Sequence, residues 1–446
     1  MAKTFRAWEI DQVEMFPPTV RDFVPEGHVA HLLRDLVREE LDLSEVEGEY
    51  GEERGQPPYA PGLMVALLLY AYSRGVYSSR AIERACEERV DFMAVTGRSK
   101  PDHDTICDFR RRHREALARL FVQVLELCRD AGLTKLGHVA LDGTKVKANA
   151  SKHRAMSYKR MKEREPELAA EVERWLKAAQ RADEAEDAEH GKGNRGDEIP
   201  DHVRAKIRQL ARMRASMERI EAEAKAKAAR EAAEREAKAK EQDRPPRGRP
   251  PSAEPEPKAQ SNFTDPDSRI MKTSGGFEQA YNCQLAVDAE SQVIVACEVV
   301  ARQNDGEQLV GMADQIEANL GKWPAQLSAD ANYCSEANLE ALEERGIEPY
   351  LATGRQKHGD SSPTSNEKAM QGPRASAMRE KLRAEGHASP YRLRKQSVEP
   401  VAGQIKEARG FRRFLLRGIA KVRTEWALVC TAHNVLKLAA ARAAVR

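Results

Sequence analysis

The stretch His138-Val139-Ala140-Leu141-Asp142-Gly143-Thr144-Lys145-Val146-Lys147-Ala148-Asn149 decides how the fold is read. An apolar, β-prone run, Val139 to Leu141, leads into a single carboxylate and then a basic tail. A carboxylate at the end of a buried strand is costly to desolvate unless a partner replaces its water. A divalent cation is one such partner, because hard cations take oxygen ligands. The competing reading is a hairpin turn, for which Asp-Gly is the strongest short signal. Two similar carboxylates downstream, Asp330 and Glu399, weigh on that choice.

Working outward, the 446 residues leave room for two or three domains and at least one sizeable core. Lys and Arg total 73 against 71 Asp and Glu, a formal charge of +2, so a nucleic-acid partner can be argued only from how charges cluster. A charged fraction of 32% beside 5% aromatics points to a long solvated helical section diluting a globular part. The seven cysteines lack any Cys-x-x-Cys pair and are expected as reduced thiols in a cytoplasmic protein. Met1 to Glu14 is polar, without a signal core, and the longest apolar run, Leu63 to Tyr72, is too short to span a bilayer.

Upstream, residues 1–132 read as an all-helical domain for DNA-end binding or dimerisation. Val29, Leu32, Leu33, Leu36 and Val37 recur at helical spacing, Leu63 to Tyr72 is a buried helix, and Ser78 or Ser79 caps the next. Asp102 caps a helix bearing Ile106, Phe109, Leu117, Leu120, Val124 and Leu127 on one face. The cluster around Arg110 and Arg111 reads either as a solvated face or as a phosphate contact. Residues 153–242, dominated by Ala, Glu, Lys and Arg, read as a helical-hairpin insertion with coiled-coil spacing at Val203, Leu210, Met217 and Ala224. That stripe is a possible dimer seam. Residues 243–262 read as a Pro-rich linker, and a loop is expected from Gly354 to Pro390.

Strands are expected at Ala280 to Asp288, Val293 to Val300, Gln326 to Ala329 and Pro349 to Ala352, with helices between the later ones. The order implies an α/β fold: a mixed sheet with flanking helices, formed by residues 133–152 and 263–446. In such a sheet the strands delivering Asp142 and Asp330 can lie parallel and adjacent. Two bare carboxylates there would raise each other's pKa, and a divalent ion resolves the conflict. Glu399, before Pro400 at a helix start, is the choice for a third metal ligand, with Glu407 and Glu425 as weaker candidates. The basic residues Lys406, Arg409, Arg412 and Arg413 that follow suit a site where metal meets a phosphodiester. No Ser/His/Asp or Cys/His constellation stands out, and there is no Gly-Lys-Ser/Thr phosphate loop.

Taken together, Pro101-Asp102-His103-Asp104, Leu141-Asp142-Gly143-Thr144, Ser328-Ala329-Asp330-Ala331-Asn332-Tyr333, Val398-Glu399-Pro400 and Gly410-Phe411-Arg412 resemble a bacterial insertion-sequence DDE transposase. The resemblance implies an RNase H-like core behind a small helical N-terminal domain, with Asp142, Asp330 and Glu399 as catalytic and metal-binding acids. It also implies Mg²⁺, with Mn²⁺ able to substitute, and cleavage of double-stranded DNA at terminal inverted repeats followed by strand transfer to target DNA. A homodimer acting without any membrane is implied too. The family signature, Tyr, two residues, Arg, three residues, Glu, six residues, Lys, sets Lys406 in register after Glu399. Its Arg position falls on Lys395 and its Tyr position on Arg392, with Tyr391 and Arg394 each one place early. Lys145, Lys147, Lys395, Lys406, Arg409, Arg412, Arg413, Arg110 and Arg111 are the expected DNA contacts. The competing functions are a metal-dependent nuclease of the same fold without strand transfer, and a catalytically silent DNA-binding scaffold.

Overall fold

The computed structural model describes residues 19–51, 57–190, 200–241, 245, 248–273, 275–354, 361–364 and 372–445. The chain forms two compact units, one from Met1–Val146 with Asn282–Arg446 and a second from Lys147–Tyr281.

The first unit opens with helices α1 (Val29–Glu39), α2 (Ser44–Gly48), α3 (Pro61–Ser73), α4 (Ser79–Glu88), α5 (Val90–Thr96), α6 (His103–Arg112) and α7 (Arg114–Asp130). Local chemistry sets their starts. Pro61 opens α3 in the first turn, where its missing N–H is not needed. The Ser78 side chain accepts from the Ala81 N–H, and Asp102 accepts from Thr105 at 2.7 Å. The single helix expected after Pro101 is broken at His113. That residue is buried, hydrogen-bonded to the Tyr50 hydroxyl at 3.0 Å and packed on Phe109.

β1 (His138–Lys147) follows, and the chain passes through β2 (Ala155–Ser157), α8 (Tyr158–His190), α9 (Asp201–Glu241), β3 (Gln260–Asn262) and β4 (Arg269–Thr273). Then come β5 (Gly276–Asp288), β6 (Ile294–Val300), α10 (Leu309–Leu320), β7 (Gln326–Ala329), α11 (Glu336–Glu344), β8 (Glu348–Leu351), α12 (Pro373–Glu385), α13 (Leu393–Gln396), α14 (Val398–Gly403) and α15 (Ile419–Val445). The sheet runs β4-β5-β1-β7-β8, with β6 also paired to β5. β5 and β6 are antiparallel, whereas β1–β7 and β7–β8 are parallel. The sheet is therefore mixed, as expected.

Two local expectations fail, and one competing reading is excluded. Asp142-Gly143 is not a hairpin turn, because β1 continues through both residues to Lys147. The linker of 243–262 ends in a strand, β3, whose Asn262 pairs with Ala155 of β2. The loop from Gly354 to Pro390 contains α12, which presents Ala375, Met378 and Leu382 inward; residues 355–360 and 365–371 of that loop lie outside the described residues.

Residues 1–132 also do not stand apart. α15 packs against α7, α3 and β6, so the N-terminal helices and the C-terminal helix share one core. Trp426 of α15, fully buried, meets the rings of Phe411 and Phe414 there. Glu425 beside it is also fully buried and accepts the Leu415 and Leu416 N–H groups at 3.0 Å. Burial pushes its carboxyl up to about 7, against those hydrogen bonds and the Arg110 charge. A folded pKa above the unfolded one means a contribution fully present below about 4.5 and lost as pH rises through 7. Glu425→Gln keeps an acceptor oxygen and removes the ionisation. In urea unfolding it is expected to gain ~3 kcal/mol over the parent at pH 8 relative to its difference at pH 4.

In the second unit α8 and α9 lie against each other, with Met161, Leu168 and Val172 facing Leu210, Met213 and Ile220. Tyr158 bonds Glu221 at 2.7 Å, Glu165 pairs with Arg214 at 2.6 Å, and Glu171 pairs with Lys206, a descending register that makes the pair antiparallel. Val203 and Leu210 are buried and Met217 packs on the same cluster, so the proposed dimer seam is spent inside the hairpin. Beyond Ala222 the helix continues to Glu241. No helix among the described residues is long and apolar enough to cross a membrane.

Candidate active site

Parallel pairing of β1 with β7 matches His138 to Gln326, Val139 to Leu327 and Ala140 to Ser328. Continuing that register two residues brings Asp142 level with Asp330, just past the end of β7. Asp142 accepts from its neighbour's Gly143 N–H at 2.9 Å. Burial pushes its carboxyl up to about 6; the Arg394 charge opposes this and the Asp330 charge adds to it. Asp330 accepts from the Asn332 backbone at 2.9 Å and from its amide at 3.2 Å. Its pKa is raised, first by burial and further by Asp305.

Glu399 lies in α14 and reaches the aspartate pair through Arg394 of α13. The Arg394 guanidinium donates through Nη2 to Asp142 Oδ2 at 2.7 Å and through Nη1 to Glu399 Oε1 at 3.0 Å. Arg394 is 9% exposed, and its Nε has no hydrogen-bond partner. Its pKa is raised: burial would lower it, and Asp142, Tyr391 and Glu399 more than compensate. Asp142, Asp330, Glu399 and Arg394 all belong to the first unit.

A polar layer lies behind Asp142. Asp305, 8% exposed, accepts from Lys145 Nζ at 3.0 Å, Asn282 Nδ2 at 2.5 Å and Gln284 Nε2 at 2.9 Å. Tyr333 donates to Gln284 Oε1. A Cβ on Gly143 would stand 2.5 Å from Asp305 Oδ1 and 2.6 Å from Gln284 Nε2, so this glycine permits close packing rather than a turn. Lys406 Nζ donates to the Lys145 carbonyl at 2.8 Å, tying the C-terminal helical segment to β1.

The basic residues singled out from sequence are mostly engaged within the fold. Arg110 is buried and bonds the Tyr77 carbonyl at 3.0 Å, so it lies on no solvated face. Arg409 bonds His433 Nδ1 at 3.0 Å, and its carbonyl accepts from Tyr77. Lys147 pairs with Glu278 at 2.8 Å, Arg111 with Asp108 at 2.9 Å, and Arg412 with Glu407. Lys395 and Arg413 are exposed. Glu407 is thus held by Arg412, and Glu425 is spent on Leu415 and Leu416, which leaves Glu399 alone among the three glutamates beside the aspartates.

Sequence reading missed Asp305, Asn282 and Gln284, and placed the signature arginine on Lys395 rather than on Arg394. One signal was available: Asn282 and Gln284 are two apart in an otherwise apolar strand, so they share a face. Among the described residues no three Asp, Glu, His or Cys side chains are grouped as a metal site. The donors nevertheless suit a hard divalent cation. Asp142 and Asp330 lie level on neighbouring strands, the Asp330 charge raises the Asp142 pKa, and Asp142 and Glu399 share one guanidinium.

Comparison with known families bears on this arrangement. Residues 18–112 match the family described as Transposase domain (DUF772), and residues 253–435 match Transposase DDE domain. The second match spans Asp305, Asp330, Arg394 and Glu399, and starts after Asp142. Searches of curated proteins and of solved structures return no match. With a transposase domain matched over its N-terminal helices and a transposase DDE domain over the segment that carries Asp330 and Glu399, the chain bears the two domains of an insertion-sequence DDE transposase.

Proposed function

We propose that this transposase cuts phosphodiester bonds at the terminal inverted repeats of a mobile element and joins the freed 3′-OH ends to target DNA. Asp142, Asp330 and Glu399 are its catalytic acids and hold divalent ions, Mg²⁺ by preference with Mn²⁺ able to substitute. The observation that carries this reading is the convergence of the three acids: β1–β7 pairing levels Asp142 with Asp330, and one guanidinium joins Asp142 to Glu399. The strand order β6-β5-β1-β7-β8, an antiparallel hairpin beside parallel strands, supports an RNase H-like core.

When bound, a pair of such ions activates the attacking water or 3′-hydroxyl and stabilises the leaving oxygen. The chain's own residues supply the rest. Asp142 and Asp330 present carboxylates from adjacent strands of one sheet, where strand pairing limits their drift. Asp305 anchors Lys145, and Lys406 holds the same residue's carbonyl, so β1 is fixed just beyond the acid it carries. Exposed Lys395 and Arg413 face phosphates, which positions the duplex without reading its sequence. Two copies act together, one on each transposon end.

The test is an assay with end-labelled terminal repeats and a supercoiled target plasmid in Mg²⁺ or Mn²⁺. Nicked ends and plasmid-joined products are expected. Cleaved ends that never join would reduce the activity to that of a nuclease, and intact ends with either metal would overturn the catalytic reading in favour of a silent DNA-binding protein.

A further inference from the structure

Arg394 carries an inference that goes beyond the three acids and rests on their role as metal ligands. Its guanidinium spans Asp142 and Glu399 at 2.7 and 3.0 Å, in a setting where only a tenth of its side chain meets solvent. An arginine so enclosed ordinarily spends all its N–H groups, yet Nε here has no partner. Its two ion pairs, with the Tyr391 hydroxyl beside them, hold it in place. They hold the two carboxylates that a metal would also claim. Two carboxylates drawn together without a cation repel, and of the pair Asp142 is the enclosed one whose charge is costly to leave unpaired, whereas Glu399 is exposed. A positive group must stay between them until another arrives.

We propose that Arg394 is the resident cation of the carboxylate cluster: it preorganises Asp142 and Glu399 in the metal-free enzyme and competes with the divalent ion for the same oxygens. Metal entry then requires the guanidinium to withdraw. Because both ligands are kept near their working positions, the protein avoids collapse or splaying of the cluster while it waits. Metal affinity is correspondingly lowered, since each ion must displace a paired arginine. Arg394 is thus a positioning residue for metal loading.

The experiment uses the full chain at pH 8, without DNA, and reads Mn²⁺ binding from the loss of the free-ion electron paramagnetic resonance signal. The parent, Asp142→Asn, Arg394→Gln and Arg394→Lys are compared, each also by thermal melting without metal. Arg394→Gln is expected to bind Mn²⁺ about tenfold more tightly than the parent and to melt lower when metal-free, its melting point recovering on Mn²⁺ addition. Arg394→Lys, which keeps the charge but not the two-pronged contact, is expected between the two. Equal or weaker Mn²⁺ binding by Arg394→Gln would overturn competition. If Asp142→Asn binds Mn²⁺ as the parent does, the metal-ligand reading itself fails, and the Arg394 inference with it.

A second measurement on the unmutated protein covers the case in which Arg394→Gln does not fold. Phenylglyoxal labelling followed by peptide mass spectrometry is expected to find Arg394 protected without metal and modified in saturating Mn²⁺. Unchanged labelling across the titration would overturn the withdrawal of the guanidinium.

Discussion

Asp142→Asn is expected to abolish strand cleavage in Mg²⁺, by on the order of 10³-fold or more, while binding to transposon ends stays within about threefold of the parent. The amide keeps the shape of the carboxylate and an oxygen that can accept the Gly143 N–H. What it removes is the anionic ligand that pairs with Asp330 across the β1–β7 register. The same substitution removes one of the two ion pairs of Arg394, but burial outweighs that pair and still disfavours the ionised carboxyl. Burial raises the Asp142 carboxyl to about 6, so its ionised form is disfavoured in the folded chain. With a folded pKa above the unfolded one, stability is lost as pH rises from about 4 through 6. Above pH 6 the neutral amide is thus expected to be as stable as the parent, or more so by up to ~3 kcal/mol. An inactive protein with an undiminished urea midpoint at pH 8 is the expected signature. Full cleavage by this variant would remove Asp142 from the catalytic set.

Gly143→Ala should do lesser but clear damage without deleting any functional group. The added methyl would stand 2.5 Å from Asp305 Oδ1, 2.6 Å from Gln284 Nε2 and 2.9 Å from Asn282 Oδ1. Those atoms form one hydrogen-bonded layer, so none can retreat alone: Asp305 also holds Lys145, and Gln284 also holds Tyr333. Overpacking of this kind costs about 1–3 kcal/mol, and here it also displaces the strand next to Asp142. Cleavage is expected to fall at least tenfold, with a lower urea midpoint. Parent-like values for both would mean that the Asp305 layer yields easily and that Gly143 answers to something other than its neighbours.

Much of this architecture could be read from the chain because it rests on local patterns. Val293 to Val300 is legible as a strand from its apolar run, Asp102 as a cap from a side chain that accepts a backbone N–H, and Leu63 to Tyr72 as a buried helix from its length and lack of a polar face. Asp142-Gly143 misled because the dipeptide signals a turn only when its glycine serves backbone torsion; at this position it serves space. Arg394 was passed over because spacing along the chain does not reveal which of two neighbouring basic side chains turns inward. α13 ends within four residues and α14 starts at Val398, so the arginine's direction depends on that break. β4 and β3 were hidden for another reason: Arg269–Thr273 and Gln260–Asn262 are short and mixed in polarity, and β3 exists by pairing with β2, distant in sequence, while β4 pairs with β5 next to it.

The pairing of Ala155 with Asn262 has a bearing on how such a chain changes over time. Everything from Tyr158 to Glu241 departs and returns across one short two-stranded clasp. Loop-closure entropy rises only with the logarithm of length, so the length of the arm beyond its buried cluster weighs little on closing the clasp. A different hairpin grafted onto the same rungs would have to keep the Arg219 contacts to Ser261 and Asp267 and the Glu223 pair with Arg269, and with those kept this segment is a natural handle for exchanging one arm for another.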